Sequence, residues 1–152
     1  MERRKFLNMG LVAVAASIVP ATTLSAVNFR STKAAAWEAE KSADAIKAMF
    51  GDGGLTPTDE IKMIAPKLAE NGGSIPITLK SDLDIETIAF FQDANPRSAT
   101  VVFSVPEGQK VNYSFRVKMR QTAYVTVVAK TKDGKLLTLN KEIDVSIGGC
   151  GG

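Results

Sequence analysis

Apolar and polar residues alternate along most of the chain beyond residue 74, and this period of two predicts half-buried β-strands. The alternation is clearest from Val111 to Met119, and turn-forming residues such as Asp133-Gly134 separate successive runs. About six or seven short strands, with turns at intervals of roughly 8–12 residues, are typical of an all-β fold, an immunoglobulin-like antiparallel β-sandwich. The predicted strands cover residues 75–79, 85–92, 99–105, 111–119, 123–130 and 136–147.

Two of these strands carry a residue that restricts their place in a sheet. Pro76 has no amide hydrogen to donate, so it predicts either an edge strand or the start of a strand. Lys141 interrupts the apolar alternation between Leu139 and Ile143, so it predicts either a β-bulge or an exposed edge. Both residues mark positions where regular pairing with a neighbouring strand is expected to fail.

A helix is predicted from Ala34 to Phe50, where the chain is rich in alanine and contains neither glycine nor proline. Gly51 ends this helix. Its apolar face has two interpretations, since it either covers a sheet of its own domain or packs against a partner protein. The residues of that face recur at helical spacing, at Ala39, Ala43, Ile46 and Phe50.

A second helix is predicted to begin at Thr56-Pro57. Threonine caps helix starts, and proline suits the first helical position. Ile61, Ile64 and Leu68 would form its apolar face, and the glycines at 72 and 73 would terminate it. The pattern therefore favours one or two helices before the strands.

The start of the chain has the features of an export signal. Arg3 and Arg4, followed by two apolar residues after Lys5, resemble a twin-arginine (Tat) motif. The apolar stretch 9–19 is shorter than the about 20 residues of a membrane span. Small residues at 21–26 and at 34–36 are two candidate cleavage sites. Residues 1–33 are predicted to be a Tat-type signal peptide that directs the protein to the periplasm, the alternative being an uncleaved membrane anchor.

Charge is distributed unevenly between the start of the chain and the rest. The formal net charge is +3, from 19 Lys and Arg against 16 Asp and Glu. Four of the basic residues and one of the acidic residues precede residue 31, so the remainder is neutral. A neutral body has no bulk electrostatic attraction to nucleic acid or to an anionic membrane, and neither is expected as a partner once the signal is removed.

The sequence contains one candidate for a chemically reactive side chain. The sequence contains no histidine, which excludes Ser-His-Asp and Cys-His catalysis. Its one cysteine, Cys150, cannot form a disulfide within the chain or a cysteine-based metal site, so no metal and no cofactor are expected. An exported protein with a single cysteine has either an intermolecular disulfide or a free reactive thiol.

Glycines surround this cysteine on both sides. Gly148, Gly149, Gly151 and Gly152 give it no packing neighbours of its own, since glycine resists fixation into a helix or strand. Residues 148–152 are therefore predicted to be a flexible arm. Cys150 lies three residues beyond Ile147, which corresponds to a reach of roughly 10 Å from the last strand.

A basic stripe is predicted on the strand at residues 111–119. Arg116, Lys118 and Arg120 share one face with Asn112 and Ser114. This stripe is either a solvated strand face or an attraction for an acidic partner or for an anion held near the arm.

The glycine-bracketed cysteine that ends an exported β-sandwich chain resembles the SoxY family, the sulfur carriers of the Sox thiosulfate-oxidising system. The resemblance covers roughly residues 36–152 and includes Ala69-Glu70-Asn71-Gly72 before a proline-containing strand, Asn95-Pro96 and the twin-arginine leader. It divides the chain into the signal (1–33), a SoxY-like β-sandwich domain with N-terminal helices (34–147) and the carrier arm (148–152).

The resemblance implies a non-catalytic carrier that pairs with SoxZ as a heterodimer. It implies that the haem enzyme SoxAX attaches thiosulfate to Cys150 as an S-thiosulfonate, that SoxB releases sulfate, and that a sulfane dehydrogenase completes the oxidation in some systems. Three other interpretations of the cysteine remain: an interaction module tethered by an intermolecular disulfide, a Gly-Gly-ended conjugation tag, and a catalytic thiol enzyme that lacks a histidine base in its own chain.

Overall fold

Three short helices precede nine strands in the part of the chain that the computed structural model describes, residues 27–146. The helices are α1 (Phe29–Thr32), α2 (Ala34–Glu38) and α3 (Ser42–Phe50). The strands are β1 (Leu55–Pro57), β2 (Lys62–Ile64), β3 (Leu68–Ala69), β4 (Ile75–Ser81), β5 (Ile85–Gln92), β6 (Ala99–Ser104), β7 (Val111–Val117), β8 (Ala123–Thr131) and β9 (Leu136–Val145).

The strands form two sheets. The larger has the order β1-β9-β8-β5-β6, with β3 also paired to β9, and the smaller has the order β2-β4-β7. Most neighbours are antiparallel, whereas β1 and β3 run parallel to opposite ends of β9. The Asp133-Gly134 turn joins β8 to β9 as predicted, with Gly134 at φ +89°. The immunoglobulin-like β-sandwich predicted from the sequence is confirmed.

The main core lies between the two sheets. Alternate residues of β4, namely Ile75, Ile77 and Leu79, are buried there, and β7 contributes alternate residues from Val111 to Val117. Their partners on the other face of the small sheet are largely solvent-exposed, as the period of two predicts. The apolar and polar residues alternate in these strands because only one face of the small sheet is buried.

Strand β5 is buried on both faces, which explains its continuous apolar run. Ile88 and Phe90 enter the core between the sheets, whereas Ala89 and Phe91 pack under the helices. The ring of Phe91 contacts that of Phe50 edge to face at a centroid distance of 6.5 Å. The helices thus cover a sheet of their own domain, which is one of the two interpretations of their apolar face.

The helix predicted from Ala34 to Phe50 is interrupted at residues 39–41. Ala39 has ψ 135° and is extended, and its carbonyl accepts a hydrogen bond from the amide of Ser98 at 3.1 Å. The amide of Ser42 donates to the carboxylate of Asp93 at 2.8 Å, which satisfies a donor at the start of α3. Contacts with the turn between β5 and β6 therefore stabilise a break that local propensity does not predict.

The helix predicted from Thr56 is wrong. The chain there forms β1, β2 and β3, and the hydroxyl of Thr58 accepts from the amide of Glu60 in a tight turn. Ile61 and Met63 pack into the core at a spacing of two, while Ile64 and Leu68 are 57% and 56% exposed. Pairing of β1 and β3 with the distant β9 overrides the local helix signals.

The two residues expected to disturb strand pairing have simple outcomes. Pro76 is the second residue of β4 and precedes the stretch paired to β2, so it marks a strand start. Lys141 pairs in register with Val125, so the β-bulge is wrong. On the other side of β9, β1 pairs with residues 136–138 and β3 with 144–145, which leaves Lys141 on an open edge among the described strands.

Candidate functional site

The predicted attachment residue and its glycines lie outside the described residues. Cys150 and the glycines at 148, 149, 151 and 152 follow Ser146, the last residue that the structure describes. The structure therefore shows how the chain is held where the C-terminal segment (residues 147–152) begins, and which surfaces surround that point. We call this point, residues 143–146, the root of the segment.

Hydrogen bonds on both sides hold the root. The amide of Val145 donates to the hydroxyl of Thr122 at 2.9 Å, and the amide of Ser146 donates to the carbonyl of Ala69 at 2.9 Å. The amide of Asp144 donates to the carbonyl of Lys67 at 3.1 Å. Ile143 is fully buried in the core between the sheets. The C-terminal segment therefore starts from a position that the segment before β8, the chain at β3 and the core all constrain.

A Thr122→Val substitution is expected to loosen the root without changing the fold. Valine keeps the branched shape but removes the acceptor of the Val145 amide, which costs about 1 kcal/mol of unfolding free energy. Thr122→Ser keeps the hydroxyl and is the matched control. Urea unfolding and amide exchange at Val145 measure the two effects. Equal stability and equal exchange in the two variants would contradict this role for Thr122.

Two exposed apolar side chains flank the root. Leu68 pairs with Asp144, and Tyr124 pairs with Glu142, so all four residues share the outer face of the large sheet. Leu68 is 56% and Tyr124 is 59% exposed. The sequence placed Leu68 on a helix and carried no signal for this patch, because the parallel pairing of β3 with β9 brings together residues far apart in the chain.

A basic cleft lies on the side of β7. Its volume is about 610 Å³, and its charged lining residues are Arg97, Arg116, Lys118 and Arg120. No carboxylate is found among the described residues that line it. The predicted basic stripe is thus brought together with Arg97, from the turn between β5 and β6, which the sequence analysis did not single out.

Hydrogen bonds fix the walls of the basic cleft. The side-chain amide of Asn95 donates to the carbonyl of Lys118 at 2.6 Å, and its oxygen accepts from the amide of Arg120 at 3.2 Å. Arg116 donates to the hydroxyl of Ser74 at 3.2 Å, and Arg97 donates to the carbonyl of Glu38. Asn95 therefore ties the turn after β5 to the segment between β7 and β8.

The described groups with clear pKa shifts include two at the opposite end of the sandwich. A hydrogen bond from Lys110 and its positive charge lower the pKa of Asp84, in the turn before β5. Hydrogen bonds from Thr131 and Lys135 lower the pKa of Asp133, in the turn before β9. These carboxylates stabilise turns and lie far from the root. Residues 27–146 also contain no cluster of three or more potential metal ligands.

Known proteins that resemble this chain in sequence and fold identify its family. The family model of the sulfur oxidation protein SoxY matches residues 46–150, which include Cys150. Among solved structures, the sulfur carrier protein SoxY from Chlorobium limicola f thiosulfatophilum is 33% identical, with a TM-score of 0.63 over 69% of this chain and 96% of that chain. A comparison with curated proteins found no match.

Two other solved structures share the fold alone. The superoxide reductase (neelaredoxin) from Ignicoccus hospitalis is 14% identical, with a TM-score of 0.54 over 60% of this chain and 95% of that chain. A superoxide reductase assigned in Thermotoga maritima is 12% identical, with a TM-score of 0.51 over 60% of this chain and 94% of that chain. The SoxY family model, by contrast, matches most of the chain, and the SoxY structure is 33% identical to it in sequence. The chain therefore belongs to the SoxY family of sulfur oxidation proteins.

Proposed function

We propose that the protein carries sulfur intermediates of thiosulfate oxidation as covalent adducts of Cys150 and presents them to partner enzymes. The observation that carries the proposal is the family match, which extends through Cys150, together with the hydrogen-bonded root, whose Val145 lies five positions before that cysteine. A rigid body with one thiol beyond its last strand is suited to delivery, since the cargo stays attached while the partners change.

The chemistry of loading requires a partner that accepts electrons. The thiol of Cys150 and thiosulfate form a sulfur–sulfur bond, giving the S-thiosulfonate Cys–S–S–SO3⁻ with release of one proton and two electrons. Water then cleaves the terminal S–S bond, releasing sulfate and leaving a persulfide on Cys150. The chain has no histidine and no second cysteine to activate the thiol. Separate enzymes therefore supply the base, the electron acceptor and the hydrolytic site, and this protein is a carrier, not a catalyst.

The length of the C-terminal segment sets the kind of partner site. Cys150 is the fifth residue after Val145, so the thiol extends at most roughly 16–18 Å from the end of β9. A glycine-rich segment of this length enters a narrow cleft more readily than a segment with larger side chains. The partners proposed from the family are SoxZ in a heterodimer, SoxAX for loading, SoxB for hydrolysis and a sulfane dehydrogenase where one is present.

The proposed compartment is the periplasm, reached by Tat export. Residues 1–26, which include the twin arginine, lie outside the described residues. Of the two candidate cleavage sites, the structure favours the earlier one, because Ala36 is buried in α2 and Phe29 packs with the helices. Among residues 27–146, no helix is long and apolar enough to cross a membrane.

Intact mass spectrometry tests the proposed function. The full chain is incubated with SoxZ, SoxAX, thiosulfate and an electron acceptor, and the modified peptide is then located. An added thiosulfate on the peptide that contains Cys150, cleaved to a persulfide after SoxB is added, is the expected result. A stable disulfide-linked homodimer without any sulfur adduct would instead support the alternative, an exported interaction module tethered by an intermolecular disulfide.

A further inference from the structure

We infer that the basic cleft receives the anionic end of the intermediate carried on Cys150, so that the loaded C-terminal segment rests against its own domain between visits to partner enzymes. This inference rests on the proposed function, since it concerns the same thiol. Its occupant is a named part of this chain, and the supporting observations are the charge of the cleft, its position and the length of the segment that must reach it.

The charge of the basic cleft suits an oxyanion. Three of its four cationic residues, Arg97, Arg116 and Arg120, carry guanidinium groups that match the geometry of sulfonate oxygens with paired N–H donors. Asp93 is the carboxylate nearest in sequence to Arg97. It is already bound by Ser42, whose amide and hydroxyl donate to it at 2.8 and 2.9 Å. The described lining therefore provides positive charge and hydrogen-bond donors, and none of the described lining residues is a carboxylate.

The basic cleft and the root lie at the same end of the sandwich. Lys118 and Arg120 belong to the segment between β7 and β8, and Thr122 of the same segment accepts the hydrogen bond of the Val145 amide. The Cα atoms of Arg120 and Thr122 are at most about 7 Å apart, because only one residue lies between them. One short segment thus forms a wall of the cleft and an anchor of the root.

The C-terminal segment is long enough to bring its cargo to the cleft. Its thiol extends at most roughly 16–18 Å from Val145, and the thiosulfonate adds its own length beyond the sulfur. A ligand on so short a tether has an effective concentration in the millimolar range, so even a weak site is occupied for a large part of the time. Exposed cations give weak binding that salt screens, and this allows partner enzymes to take the segment.

The loaded state can be prepared without any Sox enzyme. Tetrathionate reacts with the thiolate of Cys150 to give Cys–S–S–SO3⁻ and one thiosulfate, in an exchange that needs no external oxidant. Methyl methanethiosulfonate gives the uncharged Cys–S–S–CH3 and methanesulfinate, which is the matched neutral adduct. Both reagents are applied to the full chain, and backbone amide spectra are compared at low and high salt.

We expect the thiosulfonate to shift the amides of residues 95–97 and 116–120 at low salt, and the neutral adduct to leave them unchanged. In the Arg116→Gln, Lys118→Gln double variant these shifts should disappear. The Lys62→Gln, Lys80→Gln variant removes the same charge from exposed positions paired across β2 and β4, and it should retain the shifts. Equal shifts with both adducts, or no shift with either, would overturn the inference.

Release of the cargo gives a second readout. Dithiothreitol should free the thiosulfonate about twofold to threefold faster in the Arg116→Gln, Lys118→Gln variant than in the unchanged chain at low salt, because docking no longer shields the bond. The S-methyl adduct should be released at the same rate in both proteins. If enzymatic loading fails while chemical loading still shifts the cleft amides, the proposed function is wrong and the docking site stands. If enzymatic loading succeeds but chemical loading shifts none of the cleft amides, only the docking site is wrong.

Discussion

A Cys150→Ser variant is expected to lose all thiosulfate-dependent mass gain and all support of thiosulfate oxidation. A serine oxygen cannot form the sulfur–sulfur bond on which loading depends, and the chain has no other cysteine to replace it. The free energy of unfolding should stay within about 0.5 kcal/mol of the unchanged protein, because the substitution lies beyond the last core strand. Intact mass after incubation with SoxZ, SoxAX and thiosulfate, together with urea unfolding, measures both effects.

A relocated thiol is the matched control for this prediction. The double variant Ser146→Cys, Cys150→Ser keeps one thiol but moves it to the root, where the backbone amide is bonded to Ala69. Iodoacetamide should still label this thiol. SoxAX should not load it, because a thiol at residue 146 lies next to the sheet and has no glycine directly on either side. Thiosulfate-dependent mass gain in the Cys150→Ser protein itself would show that the cargo is held elsewhere and would end the carrier proposal.

A Phe90→Ala variant is expected to lose about 3–5 kcal/mol of unfolding free energy, a large share of the stability of a domain of this size. The side chain is fully buried between the sheets, and its ring packs edge to face on Phe115 at a centroid distance of 5.5 Å. Removing the ring leaves a cavity at the centre of the core. Both sheets contribute to the lost contacts, so the whole sandwich should be weakened, and urea denaturation measures the loss.

Phe103→Ala is the matched control, since it makes the same substitution at the margin of the core. Phe103 is only partly buried and stacks on Tyr113 at a centroid distance of 4.5 Å, so its removal should cost about 1–2 kcal/mol. If Phe103→Ala destabilised the protein as much as Phe90→Ala, the core would not be centred between β5 and β7 as the structure shows.

The pattern of side chains predicted the strands well where one face is buried. The alternation from Val111 to Val117, the turn at Asp133-Gly134 and the continuous apolar run of β5 all correspond to observed elements. These features are local, since burial of alternate residues or of both faces leaves its mark on consecutive positions. The family resemblance rested on equally local evidence, the glycines and cysteine at the end of the chain.

The errors arose where distant pairing outweighs local preference. Thr56-Pro57 has the composition of a helix start, but parallel pairing with β9 holds it as a strand. The helix predicted from Ala34 is broken because the carbonyl of Ala39 accepts a hydrogen bond from Ser98 and the amide of Ser42 donates one to Asp93. A single sequence contains no information on which distant segment will compete with a local helix. The short strands β1, β2 and β3 have too few residues to show a period of their own.

The sequence by itself determined the all-β sandwich, the isolation of Cys150 among glycines and the absence of histidine, because composition and period are properties of the chain alone. Only the tertiary structure decided where the C-terminal segment is anchored and what surrounds its root. The hydroxyl of Thr122, in the segment between β7 and β8, and the carbonyl of Ala69, in β3, meet the end of β9 from opposite sides. Arg97 joins Arg116, Lys118 and Arg120 in one cleft only because the turn after β5 packs against the segment after β7. Such convergence depends on the packing of the two sheets, and the linear order of the residues does not contain it.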